Sequence, residues 1–164
     1  MRRIILITGG ARSGKSTYAE KLALSLSPNP VYLATARIWD EEFRKRVIHH
    51  QERRGPEWTN IEEDKELSRH SLSGRTVLID CITCGVPISF RPGCRYRPFP
   101  CRSQSRIRPL YSTGCHIYIV TRDRYGGTSE NKIQRKLRIC KVWMNQYVAS
   151  RADEVILSGV GGLQ

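Results

Sequence analysis

The chain has 164 residues, with 28 Lys and Arg against 15 Asp and Glu and a formal net charge of +13, a length that suits one domain over 1–164 with a buried core. No stretch reaches the roughly 18 consecutive apolar residues of a membrane span, and Arg2-Arg3 leads at once into a strand pattern, not into a signal-peptide core and cleavage site. A cytoplasmic protein is predicted. The charge would ordinarily suggest nucleic acid, but Arg91, Arg95, Arg97, Arg102, Arg106 and Arg108 supply six of the thirteen net charges from one segment without Asp, Glu or Lys.

The apolar run Ile4-Ile5-Leu6-Ile7 predicts a buried strand, and it enters Gly9-Gly10-Ala11-Arg12-Ser13-Gly14-Lys15-Ser16, the GxxxxGKS pattern of a phosphate-binding P-loop. Gly9 and Gly14 permit backbone conformations that let successive N–H groups surround a phosphate. Lys15 offers a charge to the outer phosphates, the Ser16 hydroxyl can enter the shell of Mg2+, and the following helix adds its positive end. That helix is predicted over Thr17 to Ser27, with Ala19, Leu22, Ala23 and Leu26 on one face. ATP and GTP both satisfy this pattern. A nucleotide loop belongs where thiols stay reduced, so Cys81, Cys84, Cys94, Cys101, Cys115 and Cys140 are read as free thiols.

Ser27-Pro28-Asn29-Pro30 breaks the helix, and Val31 to Ala36 predicts a second buried strand. If parallel to the first, it brings Ala34-Thr35-Ala36 to the edge that carries the loop. Thr35 reads equally well as a nucleotide neighbour or as a hydroxyl capping its own turn. A helix is predicted from Asp40 to about Arg53, with Trp39, Phe43 and Val47 as its apolar seam and acidic residues at its start. It carries His49-His50. Lys45, Arg46, Glu52 and Arg53 lie three or four residues from His49, so neighbouring cations would keep its imidazole neutral and nucleophilic and attract a phosphoryl group. An exposed, solvated His is the plainer reading, and adjacent helical positions about 100° apart do not share a zinc ion easily.

After Gly55-Pro56, Trp58 could stack on a base or pack in the core, and Glu62 could hold a ribose or simply be solvated. Thr76-Val77-Leu78-Ile79-Asp80 is an apolar strand ending in a carboxylate, the Walker-B arrangement for Mg2+ beside the P-loop hydroxyl. Cys84 to Cys115 then combines five prolines with the six arginines and lacks either periodicity, so it is expected to be irregular and cannot supply a crossover helix. A zinc module and a disordered basic insertion are weighed for it; the abrupt change at both ends favours an out-of-frame translation. His116 to Thr121 predicts another strand, Gly126 to Asn131 a polar loop and helix start, and a helix follows to about Arg151 with Trp143, Tyr147 and Val148 on its apolar face. Leu137-Arg138-Ile139-Cys140 is expected to interrupt it. Ala152 to Leu157 leads into a last short strand.

The P-loop, Ala34-Thr35-Ala36, Arg46-x-x-His49-His50 with Arg53, Gly55-Pro56-x-Trp58, Glu62 and Leu78-Ile79-Asp80-Cys81-Ile82-Thr83 together resemble the bifunctional adenosylcobinamide kinase/adenosylcobinamide-phosphate guanylyltransferases of cobalamin biosynthesis. The resemblance covers 1–83 and resumes in 116–157, with Arg122-Asp123 where the family usually has Asn-Glu. It implies an α/β P-loop NTPase of the RecA-like kind, with a mostly parallel sheet and flanking helices, and a homotrimer. Its substrates would be adenosylcobinamide, ATP or GTP for phosphorylation, and GTP for guanylyl transfer through His49. By this resemblance His49 and Lys15 are catalytic, and Gly9, Gly10, Ala11, Arg12, Ser13, Gly14, Lys15, Ser16, Ala34, Thr35, Ala36, His50, Gln51, Glu52, Arg53, Glu62 and Asp80 bind nucleotide. Ser16 and Asp80 would hold Mg2+. Nucleic acid is not an expected partner. A simple P-loop kinase that leaves His49 idle, and an inactive, frame-disrupted member whose basic residues bind nucleic acid nonspecifically, are the alternatives.

Overall fold

The described elements are β1 (Arg3–Gly9), α1 (Lys15–Leu26), β2 (Val31–Ala34), α2 (Glu41–Glu52), β3 (Thr59–Glu62), β4 (Thr76–Asp80), β5 (His116–Val120), α3 (Lys132–Ala149) and β6 (Glu154–Ser158), with apolar, β-branched runs making β1, β2, β4 and β5. The computed structural model describes residues 3–10, 13–35, 41–52, 54–63, 70–80, 114, 116–120 and 132–159, with the backbone alone at 42, 43, 46, 47, 49, 50 and 132–140. The strands lie in the order β3-β2-β4-β5-β1-β6, and every pairing among them is parallel. This is a P-loop sheet of the RecA-like kind, with β5 between the loop strand and the strand that ends in Asp80.

Both faces of the central strands are buried, which is why they read as continuous apolar runs. One face packs Ile4, Leu6, Leu33, Val77, Ile79, Ile117 and Ile119 against Met144 and Val148 of α3. The other packs Ile5, Ile7, Tyr32, Leu78, Tyr118 and Val120 against Ala19 and Ala23 of α1. Because all strands run the same way, the ends at Gly9, Ala34, Glu62, Asp80, Val120 and Ser158 share one sheet edge. Sequence patterns scattered over the chain therefore converge there.

The expected parallel sheet with flanking helices is found, and every described pairing in it is parallel. Two details differ from the sequence reading. β3 is a strand that its polar sequence did not announce; Thr59-Asn60-Ile61-Glu62 is short and pairs with β2 along one side only. The helix α3 runs without interruption through Leu137–Cys140, because none of these residues removes a backbone donor or clashes with the preceding turn. Apart from Gly114, the segment 84–115 lies outside the described residues, as do the side chains of all six cysteines and the seam residues Trp39, Phe43 and Val47.

Candidate functional site

The loop between β1 and α1 begins with a close approach. A Cβ at Gly9 would collide with the carbonyl oxygen of Ser158 and lie 2.9 Å from Ser13 Oγ, so only glycine fits between β1 and the end of β6. At Gly14 the requirement is conformational: φ is +82° with open space around the Cβ position, and this residue caps α1 in the left-handed region. Its carbonyl accepts from Tyr18 N at 3.0 Å, the first turn of the helix. Ser158 Oγ donates to Ser13 O at 2.6 Å and ties the loop to the last strand. Lys15 is 4% exposed, and its Nζ donates to Gly10 O at 2.7 Å, which folds the ammonium back over the loop. Ser13 Oγ is buried without a hydrogen-bond partner, an orphaned group of the kind a bound phosphate would satisfy.

Ser16, in the first turn of α1, donates from Oγ to Asp80 Oδ2 at 3.2 Å. A hydroxyl and a carboxylate at this separation form a hard-oxygen donor set suited to Mg2+, which takes few protein ligands and completes its shell with phosphate and water. Among the described residues no group of three or more His, Cys, Asp and Glu side chains is placed to hold a metal ion.

The same carboxylate oxygen accepts from Tyr32 Oη at 2.9 Å. The register explains the contact: Tyr32 pairs with Leu78, and Asp80 lies two residues further along β4 on the same face. The ring meets Trp58 edge-on at 6.0 Å, and the Arg54 guanidinium lies 3.5 Å from its centroid. Burial, followed by the charge of Asp80, pushes the Tyr32 phenol well above its ordinary pKa, with Arg54 opposing. It stays a donor at neutral pH. Tyr32 was not legible as a site residue because it reads as one more apolar residue in Val31–Ala34; the signal was a phenol in a buried strand, where it needs a partner.

Of the expected site residues, Gly9, Gly10, Ser13, Gly14, Lys15, Ser16, Ala34, Thr35, Glu62 and Asp80 are brought to one edge. Thr35 is 5% exposed, and its N–H is directed to Asp80 O at 3.4 Å. Gln51, near the end of α2, donates through Nε2 to Glu62 Oε1 at 2.9 Å, which places the end of this helix beside the end of β3. Glu52 is exposed in the last turn of α2. His49 and His50 belong to the same helix, with side chains outside the described residues; Ala11, Arg12, Ala36 and Arg53 also lie outside them. Trp58 packs in the core against Tyr32, which decides between its two readings.

A family model described as cobinamide kinase / cobinamide phosphate guanyltransferase matches residues 5–163. Over 177 aligned positions the chain is 30% identical to the bifunctional adenosylcobalamin biosynthesis protein CobU of Salmonella typhimurium, covering 96% of this chain and 97% of that one. It is 29% identical, over the same shares, to the Escherichia coli protein of that name. Against the bifunctional adenosylcobalamin biosynthesis protein CobP of Pseudomonas aeruginosa, identity is 42% over 82 residues, 48% of this chain and 47% of the other. Among solved structures, the flagellar accessory protein FlaH of Methanocaldococcus jannaschii aligns at a TM-score of 0.45 and 13% identity, over 94% of this chain and 70% of that chain.

Proposed function

The chain belongs to the cobinamide kinase/cobinamide phosphate guanyltransferase family, and from that premise we propose that it makes adenosylcobinamide-GDP in two steps. In the first, the aminopropanol hydroxyl of adenosylcobinamide attacks the γ-phosphorus of ATP or GTP, and the nucleoside diphosphate leaves. In the second, an imidazole nitrogen of His49 bonds to the α-phosphorus of GTP as the bond to pyrophosphate breaks. A phosphate oxygen of adenosylcobinamide phosphate then takes the GMP and releases the histidine.

The observation that carries this reading is the strand–loop–helix arrangement around Gly9–Gly10 and Ser13–Ser16, with Lys15 donating to Gly10 O and Ser16 in contact with Asp80, in a chain that the family model matches over residues 5–163. The loop amides and Lys15 would bind and orient the phosphates and stabilise charge that develops on them. Ser16 and Asp80 would hold Mg2+, which when bound neutralises phosphate charge. Ala34, Thr35, Ala36, Gln51, Glu52, Arg53 and Glu62 would complete the nucleotide site together with His50. We assign the protein to the cytoplasm and to a homotrimer on the same premise; among the described residues, no helix is long and apolar enough to cross a membrane.

Incubation with α-labelled GTP and Mg2+, followed by denaturation, tests the second step. An acid-labile, base-stable label is expected on the wild-type chain and none on His49→Ala. Retention of equal label by the variant would overturn the role of His49. A folded chain that phosphorylates adenosylcobinamide yet never retains label would be a simple kinase.

A further inference from the structure

Tyr32 belongs to no motif, yet its phenol donates to the Asp80 carboxylate oxygen that also accepts from Ser16. Its Oη and Ser16 Oγ both donate to Asp80 Oδ2, at 2.9 and 3.2 Å. A carboxylate at a strand end can rotate about its last torsion, and two donors converging on one oxygen fix its plane. The phenol is itself held. Tyr32 is 5% exposed, Trp58 abuts its ring at 81°, and Arg54 lies over the ring while its Nε donates to Asn60 Oδ1 at 2.9 Å.

We propose that Tyr32 is a positioning residue that orients the Asp80 carboxylate for a nucleotide-bound divalent cation, with Arg54 and Trp58 fixing the ring. This rests on the reading of Ser16 and Asp80 given above. Phenylalanine at this position keeps the packing and loses only the donor, so the effect falls on the metal-linked part of nucleotide binding. Hydrogen-bond partners of metal-ligating groups typically alter metal affinity by about 10- to 100-fold when removed.

The test is calorimetric titration of the full-length protein with GTP, with and without saturating Mg2+. In Tyr32→Phe the ratio of the Mg2+-free to the Mg2+-saturated dissociation constant should fall about tenfold, while the Mg2+-free constant stays within about twofold, because the phosphate loop is untouched. Arg54→Leu, which leaves the hydroxyl but releases the ring, should lower the same ratio by about threefold. Thermal melting of each variant establishes that it is folded; if Tyr32→Phe is not, the Arg54→Leu ratio decides. An unchanged ratio in the folded variant, or no Mg2+ dependence in the wild type, would overturn the proposal. The activity assignment fails separately: a lowered ratio in a protein that neither phosphorylates adenosylcobinamide nor retains guanylyl label would leave Tyr32 as proposed and remove the reaction.

Discussion

At the scale of the residue, Tyr32 makes a second prediction, about stability and not metal. Burial and the adjacent carboxylate raise its folded pKa above the ordinary phenol value of 10.0, so the folded chain keeps a proton that the unfolded chain releases. Stability from this phenol is therefore complete below pH 10.0 and is lost as pH rises beyond it. One proton corresponds to about 1.4 kcal/mol for each pH unit in that window. Tyr118, also raised by burial, adds to the slope of the wild-type chain and remains in the variant. Urea unfolding of wild type and Tyr32→Phe between about pH 8 and 11 should give lines that separate on the alkaline side, with the variant the flatter. Parallel lines would mean that the phenol titrates alike in both states.

At the scale of the element, the end of the sheet is held by a few identifiable bonds. Asp153 N donates to Ile4 O at 2.8 Å, and Ile4 N donates to Asp153 Oδ2 at 2.7 Å, so the residue before β6 is bound to β1 from both sides. Ile4 is buried, and Asp153→Ala would leave its N–H without that acceptor at a cost of about 1–3 kcal/mol. The nearby Arg3–Glu154 pair is exposed, and Glu154→Ala should change stability by no more than about 0.5–1 kcal/mol. Chemical denaturation of the two variants checks the contrast; equal effects would contradict it. The same element shows what could be read from the sequence. β1, β2, β4 and β5 were legible because burial on both faces leaves long apolar runs, and Asp80 because a carboxylate ends one of them. β3 was not, since alternating half-exposed positions in only four residues resemble a loop. The coupling of Ser158 to Ser13, and of Tyr32 to Asp80, depends on strand order across the sheet, and no local spacing reports that order.

At the scale of the whole molecule, the register of β4 and β5 constrains the chain between them. Thr76 pairs with His116 and Asp80 with Val120, so the connection must return along about 17 Å of strand before β5 begins. Residues 81–115 are far more than that distance requires. The two faces of these strands are already packed, against α1 on one side and α3 on the other. We therefore expect a chain in which 84–113 is replaced by a Gly/Ser linker of equal length to fold: the closure entropy is unchanged, and the phosphate loop, Ser16, Tyr32 and Asp80 all lie outside the replacement. The exchange also removes six arginines. GTP affinity should stay within about twofold, whereas retention on DNA at low salt, which those arginines would drive by displacing counterions from the phosphates, should fall sharply. Loss of cooperative melting in the replaced chain would show that 84–113 belongs to the packed core; unchanged DNA retention would place the basic surface elsewhere.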